Sequence, residues 1–76
     1  MNVEERFDRM VRQLKSLDLT IEYWLDKSEN EFMCITTLSD ISTGIFPFDV
    51  SPKFRTQTEL VNWWENIVII FDIEFD

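Results

Sequence analysis

Val3, Phe7, Met10, Val11 and Leu14 recur three and four residues apart across residues 3 to 16. That spacing lines one side of a helix and predicts α-helix over "VEERFDRMVRQLKS". Asn2 stands at the cap position, and Glu5 follows three residues later as its reciprocal partner. Glu4, Glu5 and Asp8 lead while Arg9, Arg12 and Lys15 follow, an order that complements the helix dipole. Glu5 with Arg9 and Asp8 with Arg12 are spaced to pair, each contributing about 0.3 kcal/mol.

The period then changes to two. In "TIEYWLD", residues 20 to 26, Ile21, Tyr23 and Leu25 alternate with Glu22, Trp24 and Asp26. A second strand is expected over residues 31 to 38, joined to the first by a hairpin around "KSEN". Pairing Asp26 with Glu31 sets Leu25 beside Phe32, Tyr23 beside Cys34 and Ile21 beside Thr36, which makes one side apolar for a core. The other side then carries Glu22, Trp24, Asp26, Glu31, Met33 and Ile35.

Downstream, "SDISTG" reads as a turn and "IFPFDV", residues 45 to 50, as a short strand. Pro47 lacks an N–H and places that strand at an edge. Thr56 with Glu59 forms a second capping box, opening a helix that carries Leu60, Trp63 and Trp64 to about residue 65. Beyond Asn66, expected as a left-handed cap, "IVII" is β-branched, a preference of strands. Ile67, Ile69, Phe71, Ile73 and Phe75 fall on odd positions against Asp72, Glu74 and Asp76, so a closing strand is expected over 67 to 75. The competing reading continues the helix to Phe71. The expected fold is α+β, one small domain over residues 1–76 in α-β-β-β-α-β order, its helices packed on one face of an antiparallel sheet.

Composition narrows the chemistry. The chain is 45% hydrophobic, too apolar for disorder despite a net charge of −8. At 76 residues it buries only about 60% of its unfolded surface, so aromatic packing or a partner must supply stability. A lone Cys34 excludes an internal disulfide, and with no histidine it excludes a structural zinc site. The longest apolar run, "IVIIF", is far short of the roughly 20 residues of a membrane span. A free thiol and no export signal at the start suit the cytoplasm.

No catalytic pattern emerges. Cys34 has no histidine to activate it, and one glycine cannot build a phosphate loop. The alternate carboxylates of "DIEFD" resemble cation ligands, but no other element supplies the rest of a site. A chain this short has little volume for the cleft that paired catalytic carboxylates require. Trp63 and Trp64 fit an apolar helix side, and the overall charge has the wrong sign for nucleic acid. Enzyme activity, cofactors, metals and direct nucleic-acid binding are not expected.

Charge is unevenly placed. Residues 1 to 15 hold four cations against three acids, whereas the remainder holds Lys27, Lys53 and Arg55 against twelve acids. Carboxylates that share a surface with apolar side chains suggest a protein-binding site made of Glu22, Trp24, Asp26, Glu29, Glu31, Met33, Ile35, Asp72 and Glu74. Such a site would meet the Lys and Arg that otherwise hold phosphates. The expected function is a small acidic inhibitor that occupies the basic, nucleic-acid-binding surface of a partner. Phage or mobile-element anti-defence proteins, anti-CRISPR proteins among them, and immunity proteins against nuclease toxins are similar in size and charge, though no motif ties the chain to them. The alternative expectation is a structural or regulatory adaptor acting as a homodimer.

Overall fold

The computed structural model describes residues 1–37 and 51–75. Among them the elements run α1 (Val3–Ser16), β1 (Leu19–Leu25), β2 (Glu31–Thr37) and α2 (Gln57–Ile70). The strands form a two-stranded antiparallel sheet, so the fold is a small α+β arrangement. The strand expected over 45 to 50 lies outside the described residues.

α1 has the expected bounds because its start is chemically specified. Asn2 Oδ1 accepts the Glu5 N–H at 2.8 Å, satisfying one of the first-turn donors. It ends as Asp18 enters the left-handed region at φ 62°. Thr56 caps α2 in the same manner, its Oγ1 accepting the Glu59 N–H at 3.2 Å.

The hairpin register differs from expectation by one residue. Leu25 pairs with Glu31, Trp24 with Phe32, Tyr23 with Met33, Glu22 with Cys34 and Ile21 with Ile35. The cause is the loop, which closes from Asp26 to Asn30 around three residues instead of four. Asp26 N–H donates to Asn30 O at 3.0 Å, and Glu29 takes φ 61°. A turn followed by a left-handed residue is a common three-residue hairpin closure. One step of register exchanges the two sides of β2. Met33 and Ile35 therefore point into the core and Cys34 to the opposite side of the sheet.

The tail corrects a second expectation. α2 continues through "IVII" to Ile70, and no strand forms over 67 to 75. Asp72 takes φ 50°, its N–H donates to Ile69 O at 3.2 Å, and Ile73 N–H donates to Val68 O at 3.0 Å. These are the two bonds of a Schellman stop, with aspartate where glycine is commonest.

The core joins Met10 and Leu14 of α1 and Leu60, Val61 and Trp64 of α2 to Leu19, Met33 and Ile35 on one side of the sheet. Trp64 is fully buried and its indole N–H donates to Gln13 Oε1 at 2.9 Å, tying the helices together. Trp63 is half-buried against Phe54, with ring centres 5.7 Å apart. On the far edge of β2, Met33 and Phe54 exchange main-chain bonds at 2.7 and 2.8 Å. Ser51, buried beside them, accepts the Ile35 N–H on its hydroxyl at 2.7 Å.

Candidate partner-binding surface

Burial falls along β1 from Leu19, which is in the core, to the end of the hairpin, which is not. Tyr23, Trp24 and Leu25 are 59%, 49% and 72% exposed. Strand alternation sends Tyr23 and Leu25 to the side that holds the core nearer the base, and Trp24 to the other. Among the described residues, neither side of the hairpin end is covered by a helix face, and three large side chains meet solvent.

Among the expected site residues, Glu22, Trp24, Glu29 and Glu31 are exposed on this hairpin. Glu22 shares its side of the sheet with Trp24, while Glu31 stands opposite Leu25. Met33 and Ile35 leave the set: both are buried, Ile35 completely. Asp26 has a different task. Its Oδ1 accepts the N–H groups of Ser28 and Asn30 at 2.8 and 2.9 Å, closing the loop. The Asn30 N–H, foremost, holds the Asp26 carboxyl below the usual carboxylate range. Asp72 and Glu74 follow α2 and lie on no strand, so they do not extend an acidic sheet surface.

Two cations modify the Trp24 side. Lys53 Nζ lies 6.0 Å from the Trp24 ring centre, and Arg55 Cζ lies 5.0 Å from that of Phe32. Each covers an aromatic ring as a cation–π contact. Cys34 is buried on this side; desolvation, foremost, pushes its thiol pKa up, with the Trp24 side chain pulling the other way. Such a thiol is a poor nucleophile.

Tyr23 and Leu25 belong to the surface although alternation made them core, because they stand on the core side but at the end of the strand where burial has run out. The register itself had a signal in "DKSEN", where an aspartate precedes a serine by two residues and an asparagine by four. That pattern lets one side chain close the turn and shortens the loop.

The chain matches no protein-family model, no curated protein and no solved structure. Its chemistry therefore rests on the surface itself. Among the described residues no group of three or more Cys, Asp and Glu is placed to hold a metal ion. No described helix is long and apolar enough to cross a membrane.

Proposed function

We propose that this chain is a small acidic inhibitor without catalytic activity, which binds a protein and occupies its basic, nucleic-acid-handling surface. The reading is carried by the hairpin end, where Tyr23, Trp24 and Leu25 stand exposed among Glu22, Glu29 and Glu31. An apolar patch rimmed by charge has the composition of a protein interface. The aromatic and aliphatic side chains supply short-range binding energy, and the carboxylates take up Lys and Arg otherwise engaged with phosphates. A target among anti-defence or nuclease-toxin systems suits this chemistry, and the free Cys34 suits a reducing cytoplasm.

Affinity capture from the native host followed by competition tests the proposal. A nucleic-acid-binding protein is expected among the captured chains, and preloading it with nucleic acid should block binding. Unimpaired binding to the loaded partner would remove groove occupation. A second reading, a homodimeric adaptor, draws on Ile69, Ile70 and Phe71, exposed together at the end of α2. Sedimentation showing a dimer that Ile70→Lys dissociates would favour it.

A further inference from the structure

Among the described residues, the outer edge of β1 has no strand beside it. Met33 and Ile35 spend their main-chain groups on the far edge of β2, against Phe54 and Ser51. Strand residues alternate the direction of these groups, so Phe32, Cys34 and Thr36 turn theirs toward β1. Their partners Trp24, Glu22 and Thr20 point inward in turn, which leaves the N–H and C=O of Ile21 and Tyr23 aimed away from the sheet. Among the described residues, nothing hydrogen-bonds to them there. Beside this edge runs a groove of about 350 Å³ between α1 and β1, lined by Phe7, Val11, Leu19, Ile21 and Tyr23, with Lys15 as a lining cation.

We propose that β1 accepts an extended segment of a partner protein as an added strand, and that this segment alternates apolar and basic residues. Main-chain bonds to Ile21 and Tyr23 supply the pairing, and alternate side chains supply the selectivity. Those on the core side enter the groove beside Phe7 and Val11. Those on the opposite side stand beside Thr20, Glu22 and Trp24, where a Lys or Arg meets the exposed Glu22 carboxylate. Charge selects this occupant over a second copy, which would bring the same Glu22 and another net charge of −8 to the edge.

The basic character of the partner is shared with the inhibitor reading, on which the inference rests. Titration by amide NMR separates the two. A short blocked peptide alternating Val and Lys should shift the Ile21 and Tyr23 amides and slow their hydrogen exchange, while one alternating Val and Glu should not. N-methylation of the peptide amides that face β1 should weaken binding about tenfold or more; methylation of the others should be tolerated. Glu22→Lys, an exposed change, should reverse the preference between peptides. Absent shifts along β1, equal response to both peptides, or indifference to which amides are methylated would each overturn strand addition. A titration that fails while nucleic acid still displaces the captured partner removes strand addition alone. Strand binding to a partner that nucleic acid never displaces removes the inhibitor reading alone.

Discussion

Arg6 and Glu65, 59 residues apart in sequence, join the two helices through a charge-assisted fork. Arg6 Nε donates to Glu65 Oε2 at 3.0 Å, its Nη2 to Oε1, and Arg9 Nη2 adds a contact to Oε2 at 3.2 Å. The hydrogen bond from Arg6, foremost, holds the Glu65 carboxyl below the usual range against the opposing effect of desolvation. The folded state therefore binds this proton less readily than the unfolded chain. Its contribution is complete above the ordinary glutamate value of about 4.3 and is lost as pH falls through the lower folded value. Urea midpoints of the wild type should drop more steeply below that pH than those of Glu65→Gln. Parallel slopes would mean that the fork adds nothing to folding.

The hairpin register assigns opposite consequences to two positions on opposite sides of the sheet. Ile35→Ala should cost about 2–5 kcal/mol, since it empties a fully buried site. Trp24→Ala should cost about 1 kcal/mol or less, chiefly the Lys53 contact, and should weaken partner binding. Thermal unfolding and a binding assay on both variants check the pair. A tolerant Ile35 with an intolerant Trp24 would place the strand one residue away.

Glu29 holds a left-handed backbone that costs a side-chain-bearing residue about 1 kcal/mol. Glu29→Gly should therefore raise the unfolding midpoint slightly, although glycine loses more entropy on folding. Asp26→Ala should lower it, because the Ser28 and Asn30 N–H groups lose their acceptor. If Asp26→Ala is as stable as the wild type, the loop is not closed by that carboxylate.

Neutralising Glu22, Glu29 and Glu31 together should slow association with the partner and reduce its salt dependence, because exposed charges act over about 8–10 Å at physiological ionic strength. Changing Glu4 and Glu5 on α1 should leave the rate almost untouched. Stopped-flow association at several salt concentrations distinguishes the two sets. Equal slowing by both would point to net charge alone.

What the sequence made legible was whatever local chemistry decides. Asn2 and Thr56 are side-chain caps that mark helix starts within the residues nearby, and both act as such. The two strands were equally plain from alternation. Their register was not, because it depends on whether Asp26 closes a loop of three residues or four, a difference invisible in the apolar pattern. The tail misled for another reason. β-branched residues lose at most about 0.7 kcal/mol each in a helix, and packing readily exceeds that. Val61, Trp64 and Val68 repeat at helical spacing through Asn66, and all three belong to or pack on the core. The odd-numbered apolar set concealed this second period. The exposed hairpin end was half legible: Trp24 and its acids were placed outside, whereas the exposure of Tyr23 and Leu25 depends on how far the core extends along β1, which alternation does not show.

Cys34 gives the molecule a built-in clock. Its sulfur is shut away on the side of the sheet opposite the helices, and burial keeps the thiol protonated. A thiol-specific reagent can reach it only when the hairpin parts from its surroundings, and the reaction removes each opened molecule from the equilibrium. With reagent in limited supply, the labelling rate reads the free energy of that opening; with reagent in excess, it reads the opening rate itself. One unmodified chain thus records its own local breathing at a single known atom, with no dye or engineered tag to disturb it.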